Sequence, residues 1–217
     1  MPTKTTPAQP VEAGRPKGRR AGRSQTAVLE AAARIIAERG AHATRFADVA
    51  SATNVPVSSL QYYFGSRDDM VIAAFRHAAK NELSRLTAEL ATIDDPWHRL
   101  ERIVEVALAG FDDNSHTGVL WIESWRFALR DVEVRSEVLA DYESWRSLIA
   151  SAVSAGVEAG HFTSDLEAAH VARQLLALLD GMVMPAALSD ADSEYDSGRL
   201  LVLDALSRII GRKPQTQ

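Results

Sequence analysis

The sequence predicts an all-α protein of about nine helices, and two observations support that prediction. Ala and Leu are plentiful, whereas aromatic residues make up only 6% of the 217 residues, a composition that favours helix packing over a β-sandwich. Apolar residues recur at spacings of three and four, and no useful stretch shows the period of two typical of a strand. We therefore expect a three-helix N-terminal head, a long connecting helix and a larger helical body.

The chain is expected to begin with a disordered arm, residues 1–23, which is rich in Pro, Thr, Gly and basic residues and has no periodicity. A first helix is predicted to start at Ser24, which can serve as its N-cap, and to end at Gly40. Apolar side chains spaced like one helical face, from Val28 to Ile36, define its buried side.

Two short helices are predicted next, at about 45–52 and 56–64, on either side of an Asn-Val-Pro interruption. Asn54 can adopt the left-handed conformation that a tight corner needs, and Pro56 suits a first helical turn. Thr44 is the predicted N-cap of the earlier helix. This arrangement is a helix-turn-helix unit. The residues expected in its core are Val49, Ala50, Val55, Leu60 and either Tyr63 or Phe64, facing Ile35 and Ile36.

The helix-turn-helix domain is predicted to span residues 24–68, and the helical body to span residues 69–217. The remaining helices are predicted at about 67–90, 95–113, 116–130, 133–159, 165–188 and 194–211. Pro185 lies late in one of them and is expected to kink or end it.

Charge divides the chain into a basic head and an acidic remainder. Residues 1–80 hold 12 Lys and Arg against 6 Asp and Glu, a net charge of +6, and residues 81–217 hold 12 against 23, a net charge of −11, which together give −5. This asymmetry indicates that only the head meets a polyanion such as nucleic acid. A basic tail that merely keeps the protein in solution is the alternative interpretation.

Composition argues against several other functions. The chain has no cysteine, which rules out disulfides, thiol catalysis and Cys-type zinc sites and fits a reducing, cytoplasmic interior. Neither a run of 18 apolar residues nor an apolar N-terminal stretch occurs, so no membrane span and no secretory signal are predicted. The six histidines are scattered and no catalytic motif occurs, so we expect no enzyme, no metal and no cofactor.

The stretch VLEAAARIIAERGAHATRFADVASATNVPVSSLQYYFGSRDDMVIAAF resembles the DNA-binding head of the TetR family of transcriptional regulators. The family pattern has Gly, Tyr and Lys at the positions of Asn54, Gln61 and Arg67, where this sequence departs from it. Two later stretches, YESWRSLIASAVSAGVEAGHF and AAHVARQLLALLDGMVMPAAL, more loosely resemble the ligand-binding and dimerisation region of the branch that includes choline-responsive repressors.

The resemblance implies that the third helix enters the major groove of double-stranded DNA. Its Ser and Gln side chains could then bond base edges, and Val57 could contact a thymine methyl. Tyr62 is expected to face DNA, while Tyr63 packs its ring inward, although both tyrosines could instead pack on the first helix. Phosphate contacts are expected from Thr44, Tyr63 and Arg67. The full set of predicted DNA contacts is Thr44, Arg45, Val57, Ser58, Ser59, Gln61, Tyr62, Tyr63 and Arg67, with Arg19, Arg20 and Arg23 from the arm.

A candidate effector site is suggested by Trp121 and Trp125, which lie one helical turn apart and so share a face. Combined with a carboxylate such as Glu123 or Glu143, an aromatic box would suit a cationic or quaternary amine ligand. Tryptophans that only fill the core, or a generic apolar pocket for a drug-like molecule or metabolite, are the commoner arrangements. The candidate effector-binding residues are Trp97, Phe111, Trp121, Glu123, Trp125, Trp145 and Met184.

Strong apolar faces on the last two helices indicate either monomer core or the seam of a four-helix dimer interface. Periodicity does not separate these, but the resemblance favours a two-fold homodimer. Its two heads, about 34–36 Å or a multiple apart, would read a palindromic operator. The residues assigned to the seam are Leu175, Leu178, Leu179, Met182, Leu203, Leu206 and Ile210.

The predicted function is a ligand-responsive regulator, by the family's usual mode a repressor, that leaves its operator when a small molecule binds. The long helix at about 67–90 would carry the change from body to head, because it should touch both. The alternative is a helical protein-interaction module that binds no specific DNA sequence.

Overall fold

Nine helices make up most of the chain that the computed structural model describes, residues 17–109, 117–188 and 192–212, with side chains described outside 17–24, 186 and 192–195. They are α1 (Lys17–Arg39), α2 (Phe46–Thr53), α3 (Val57–Phe64), α4 (Arg67–Leu90), α5 (Pro96–Ala109), α6 (Thr117–Ala128), α7 (Val132–Glu158), α8 (Ala168–Leu188) and α9 (Asp192–Ile209). Those ranges contain no strand, and the predicted all-α class is confirmed.

A left-handed residue forms the corner between α2 and α3. Asn54 has φ 55° and ψ 28°, and within the described ranges it is the one non-glycine residue with positive φ. Its short polar side chain tolerates this conformation better than most. Pro56, with φ −57°, follows and leads directly into α3. The helix-turn-helix unit predicted from the Asn-Val-Pro interruption is therefore present.

The head has a hydrophobic core of its own. Val49 of α2 and Leu60 of α3 are fully buried in one cluster with Ile36 of α1. Phe64 packs against this cluster, whereas Tyr63 does not belong to it. Since α2 and α3 each bury only one side chain completely, their positions depend on α1 and α4, against which they pack.

α1 begins at Lys17, seven residues before the predicted start at Ser24. Ser24 therefore lies inside the helix and is not its N-cap. The intervening residues include Lys, Arg and Ala, which favour helix, and extending an existing helix requires no new nucleus. The prediction of a disordered arm is thus wrong for residues 17–23, and residues 1–16 lie outside the described ranges.

α4 joins the two halves of the molecule. Its first half supplies Met70 and Phe75 to the head core, and its second half supplies Leu86 and Leu90 to the body core. A domain boundary at residue 68 therefore falls too early, because the first two turns of α4 pack with the head.

The body core is formed by α5, α7, α8 and α9. Ile103, Ile149, Leu175 and Leu206, one from each of these helices, are fully buried in a single cluster. α6 lies between this cluster and the head and packs on both. Across the described ranges, none of the helices combines the length and the apolar character needed to cross a bilayer.

The proline in α8 does not end the helix where it occurs. α8 continues through Pro185 to Leu188, so the helix stops within one further turn. Pro185 has no N–H to donate to the carbonyl oxygen of Gly181, so the helix lacks that bond close to its C-terminal end.

Candidate DNA-binding surface and effector cavity

One face of α3 is open to solvent and carries polar and aromatic side chains. The exposed side chains on it, called the recognition surface below, are Val57, Ser58, Gln61, Tyr62 and Tyr63. Leu60 points the other way and is fully buried, and Ser59 is half-buried. Hydroxyl, amide and phenol groups along a single exposed helix face are suited to hydrogen-bonding base edges in a major groove.

Both tyrosines of α3 project into solvent, with 87% of Tyr62 and 67% of Tyr63 exposed. Their rings meet edge to face, with centroids 5.9 Å apart. Neither tyrosine belongs to the head core that the described part of α1 helps to form, and the prediction that Tyr63 packs inward is wrong. Leu60 and Phe64, four residues apart, occupy the inward face of the short helix and leave Tyr63 outside it.

Thr44 is buried in the turn between α1 and α2. Its hydroxyl donates to the carbonyl oxygen of Gly40 at 3.0 Å, and none of its surface is exposed, which contradicts a phosphate contact. The N-cap of α2 is Arg45, whose backbone N–H donates to the Asp48 carboxylate at 2.9 Å. The guanidinium of Arg45 is exposed and forms no ion pair with any other described residue, so it is free to meet a phosphate.

Arg67 is held by the protein itself. It donates to the carbonyl oxygen of Ala41 at 2.6 Å and pairs with Asp68, which leaves 28% of its side chain exposed. Ser66 caps α4 and exchanges hydrogen bonds with Asp69. Two acids in this first turn oppose a phosphate there. Arg67 therefore stabilises the turn after α1, and the geometry argues against the predicted phosphate contact.

The basic residues assigned to the arm lie in a helix instead. Arg19, Arg20 and Arg23 belong to the first two turns of α1, and their side chains lie outside the described part of the chain. A helical backbone gives these residues a fixed spacing, which differs from the mobile arm that was predicted.

Aromatic rings from two helices wall a cavity in the body. Trp121 and Trp125 come from α6, and Tyr142 and Trp145 come from α7. The ring centroids of Trp121, Trp125 and Tyr142 lie 6.2–6.5 Å from one another. The other lining residues are Glu82, Ala107, Leu176, Leu179, Asp180 and Val183. About 60 Å³ is open to the centre of a water molecule, roughly the space of four to six waters.

Two carboxylates line this cavity. Glu82 is only 7% exposed, and it accepts a hydrogen bond from the indole N–H of Trp121 at 3.1 Å. Burial raises the pKa of Glu82 to about 7 despite that bond. Asp180 accepts from the hydroxyl of Tyr142 at 2.9 Å, and burial raises its pKa as well. A cation inside the cavity would favour the ionised form of both groups.

A wider groove adjoins the cavity between α4, α6 and α7. Glu82 and Trp121 line both spaces, and the groove has about 500 Å³ open to the centre of a water molecule. Asp141 lies on its wall, and burial raises the pKa of that carboxyl to about 6. Glu82 and Trp121 therefore form the wall between the groove and the cavity.

Other residues predicted to bind an effector lie elsewhere. Trp97 is buried in the body core, with the guanidinium of Arg212 4.1 Å from its ring centroid. Met184 is half exposed, because it follows the cavity-lining Val183 by one residue and so points about 100° away around α8. Phe111 lies outside the described residues.

Glu123 faces the head and not the cavity. It lies two residues from both Trp121 and Trp125, and two residues on a helix turn a side chain by about 200°. Its carboxylate accepts a hydrogen bond from the backbone N–H of Ala41 at 2.6 Å. Glu143, the other acid considered for the site, is exposed and does not line the cavity.

Sequence reasoning missed three polar residues of the cavity. Asp180 interrupts the apolar run LLALLDGMVM, and a lone carboxylate inside an apolar run was a readable signal. Tyr142 lies three residues before Trp145 and shares its face. Glu82 lies among other polar residues of α4, and its own surroundings in the sequence gave no signal.

The residues predicted to form a dimer seam lie mainly inside the protomer. Those buried in the body core are Leu175, Leu179, Leu203, Leu206 and Ile210, and those half-buried against it are Leu178 and Met182. The most apolar face of a helix is the one that its own core buries first, so periodicity selected that face. Apolar side chains remain exposed at Met184, Leu188, Leu200 and Leu201.

A helix-turn-helix head with an open recognition surface, joined to a helical body that encloses a small cavity, defines a ligand-responsive DNA-binding regulator. Residues 28–74 match the family model of bacterial regulatory proteins of the tetR family, and residues 96–211 match the C-terminal model of BetI-type transcriptional repressors. The chain belongs to the TetR family of ligand-responsive transcriptional repressors, with a BetI-type body. It is therefore a regulator, not an enzyme or an interaction module without DNA.

Two related regulators and one solved structure of a similar regulator support this assignment. The HTH-type transcriptional regulator BetI of Burkholderia lata is 28% identical over 187 residues, which cover 84% of this chain and 92% of that protein. BetI of Brucella anthropi is 25% identical over 187 residues, covering 86% and 93%. The crystal structure of a transcriptional regulator from Saccharomonospora viridis in complex with choline is 29% identical, with a TM-score of 0.79, covering 87% of this chain and 98% of that one.

Proposed function

We propose that this repressor acts in the cytoplasm as a homodimer on a palindromic operator, and that a small quaternary ammonium compound releases it. The observation that carries the effector class is the combination of clustered aromatic rings with two carboxylates, one buried (Glu82) and one half-buried (Asp180), in one small cavity. Aromatic faces attract a cation that cannot donate hydrogen bonds, and buried carboxylates supply its counter-charge.

A buried donor on a residue that lines the cavity bears on the structure of the effector. The indole N–H of Trp125 is buried and meets no acceptor among the described residues. A buried donor without a partner is costly, so a ligand with an acceptor oxygen would gain affinity if the ring turned this N–H toward it. Choline has both a quaternary nitrogen and a hydroxyl, and it is the ligand in the Saccharomonospora viridis complex. It is therefore the first compound to test.

The effector proposal is tested by titrating the protein with choline and with its neutral carbon isostere, 3,3-dimethyl-1-butanol, while tryptophan fluorescence is followed. We expect choline to bind at least tenfold more tightly, because the two compounds differ mainly in charge. Equal affinity for both would contradict recognition of a cation and would favour a generic apolar pocket.

The DNA-binding proposal rests on the recognition surface together with Arg45. Base contacts are assigned to Val57, Ser58, Gln61 and Tyr62, with Tyr63 and Arg45 placed to meet phosphates. In vitro selection from random duplexes should recover a palindrome, because two identical heads read it in opposite directions. Recovery of a single, non-repeated half-site would contradict the dimeric operator.

The dimer proposal rests on an exposed stripe along α8. Ala177, Gly181, Met184 and Leu188 recur at intervals of three and four residues, all exposed, and Leu200 on the neighbouring α9 adds an apolar side chain. Small residues let two helices approach closely across a seam, and a two-fold axis would pair the stripe with itself.

Gly181→Glu tests that stripe. A Cβ at position 181 meets no atom within 4 Å in the protomer, so the side chain fits the monomer while placing a charge in the seam. Sedimentation should show a folded monomer, whereas Ala88→Glu on the exposed face of α4 should leave the dimer intact. A dimeric Gly181→Glu protein would refute this choice of surface.

The basic start of α1 is proposed to bind DNA phosphates through Arg19, Arg20 and Arg23. Each phosphate contact steepens the fall of affinity with salt. Deleting residues 1–20, which removes Arg19 and Arg20, should therefore flatten the salt dependence of operator binding, and an unchanged slope would mean that these two charges only solubilise the chain.

A further inference from the structure

The turn after α1 is fastened to two different helices through the backbone of one buried residue. The N–H of Ala41 donates to Glu123 of α6 at 2.6 Å, and the carbonyl oxygen of Ala41 accepts from Arg67 of α4 at 2.6 Å. Ala41 itself is fully buried, so water does not easily replace either hydrogen bond. This turn leads from α1 into α2 and, after the corner at Asn54, into the recognition surface.

The Glu123 carboxylate is held in an ionised and oriented state. Arg126 donates to both of its oxygens, at 3.1 and 2.8 Å. Burial alone would raise the pKa of Glu123, but the hydrogen bonds from Arg126 and Ala41 outweigh it and hold the pKa below its ordinary value. Only 15% of the side chain is exposed. The bond to Ala41 is therefore charge-assisted, the stronger kind of hydrogen bond.

The same helix walls the cavity. Trp121 and Trp125 flank Glu123 in α6 and face the body, whereas Leu120 belongs to the head core. Phe127 also packs at the head, with its ring centroid 6.2 Å from that of Phe75. One short helix thus contacts the cavity with one face and the head with the other, and a packed helix moves as a unit.

We propose that Glu123 is a positioning residue that transmits the state of the aromatic cavity to the DNA-binding head, by tying the turn at Ala41 to the helix that carries Trp121 and Trp125. This inference rests on the proposed function of the cavity as the effector site. It makes α6 a second connection beside α4, which was the lever expected from the sequence. A small shift of α6 around a bound cation would displace the turn by a similar amount, and with it the separation of two heads in a dimer.

The test compares Glu123→Ala with Glu123→Gln and with a matched control. Glu143→Ala removes another glutamate that pairs with an arginine three residues later, Arg146, but lies on α7 and touches no head residue. Glu123→Gln keeps an oxygen that can accept from Ala41. For each folded variant, operator affinity is measured by fluorescence anisotropy with and without saturating choline, and choline affinity by tryptophan fluorescence.

We expect the wild type and Glu143→Ala to lose operator affinity roughly 5- to 150-fold on adding choline, a typical range for allosteric coupling. Glu123→Ala should bind choline within about twofold of wild type, yet choline should change its operator affinity less than about twofold. Glu123→Gln should recover part of the response, which a general loss of stability would not produce. A full choline response in Glu123→Ala would overturn the proposal.

A different set of results is expected if the effector proposal fails. If choline does not bind the wild type, the effector-free measurements still decide the role of Glu123. Glu123→Ala should then weaken operator binding at least fivefold, and the amide of Ala41 should exchange its hydrogen faster, with both effects absent in Glu143→Ala. Unchanged operator affinity and exchange in Glu123→Ala would overturn the positioning role.

Discussion

The recognition surface and the aromatic cavity use aromatic side chains in opposite ways. Tyr62 and Tyr63 of α3 are 87% and 67% exposed, whereas Trp145 in the cavity wall is 6% exposed, and Trp121 and Trp125 are half-buried around the same space. Large rings left in water on a folded protein indicate a partner that covers them from outside. Rings gathered around a buried and a half-buried carboxylate favour a small partner that goes inside.

The two regions also differ in what holds them in shape. The recognition surface lies on α3, which buries only Leu60 completely. The exposed residues of α3 can therefore be changed with little effect on the stability of the protein. The cavity is cut into the body core, and its carboxylates are held by Trp121 and Tyr142. Substitutions in α3 should therefore separate binding from folding, while substitutions in the cavity should affect both.

The largest effect is expected when both exposed tyrosines are removed. Tyr62→Ala with Tyr63→Ala should weaken operator binding at least a hundredfold, since a base contact from Tyr62 and a hydrogen bond from Tyr63 to a charged phosphate are each worth about 1–3 kcal/mol. The thermal midpoint should move by no more than about 2 °C, because the rings are exposed. The paired Phe variants keep the rings and show what the hydroxyls add. An operator affinity within threefold of wild type would remove the tyrosines from the interface.

Glu82→Gln tests whether the cavity supplies a negative charge to the effector. Loss of the buried counter-charge should weaken choline binding about 10- to 100-fold, because a hydrogen bond or contact to a buried charged group is worth about 1.5–3 kcal/mol. Operator affinity without choline should stay within about twofold. Glu89→Gln, an exposed acid on the same helix paired with Arg102, is the control and should leave choline binding unchanged. Equal choline affinity in Glu82→Gln would exclude Glu82 as the counter-ion.

The dependence of the protein's stability on pH should come from the cavity and not from the recognition surface. The pKa of Glu82 is raised to about 7 in the folded state, so its protonated form favours folding. Its contribution is complete below about pH 4.5 and is lost as the pH rises to about 7, on the order of 3 kcal/mol at most. Asp141, with a pKa raised to about 6, acts in the same direction. Chemical unfolding of Glu82→Gln should show a flatter profile, and an identical profile would mean that Glu82 is not desolvated.

The smallest effect is expected at the corner of the head. Asn54→Ala should destabilise the protein by about 1 kcal/mol, because a left-handed conformation costs a residue with a Cβ about 1–2 kcal/mol and Asn recovers part of it. Asn54→Gly should be neutral or slightly stabilising at the same φ of 55°. Thermal unfolding of the pair measures the difference, and a stable Asn54→Ala protein would show that the corner is not strained.

The head could be predicted in detail because its signals are local. A left-handed Asn54 followed by Pro56 fixes a corner, and the apolar spacing that includes Leu60 fixes the inward face. The predictions that were wrong in the head concerned contacts between separate helices and turns. Thr44 turned inward to bond the end of α1, and Arg67 reached back 26 residues to Ala41. Neither contact leaves a trace in the spacing of nearby residues.

Only part of the cavity could be predicted, because the rest depends on contacts between distant helices. Trp121 and Trp125 share a helix face, and that follows from the sequence, but which face looks inward depends on the helices around α6. The choice of Glu123 as the acid was wrong because two residues along a helix reverse the direction of a side chain. The acids that do line the site come from other helices, Glu82 from α4 and Asp180 from α8.

The sequence by itself determined that the chain is helical, that a helix-turn-helix head precedes a larger body, and that the head carries the positive charge. These properties depend on periodicity, turn residues and composition, which act over a few neighbouring positions. The tertiary structure decided which carboxylates enter the cavity, which tyrosines stay in water, and that Glu123 fastens the head to α6. Each of these depends on the packing of distant helices, where small differences in rotation change what a side chain meets.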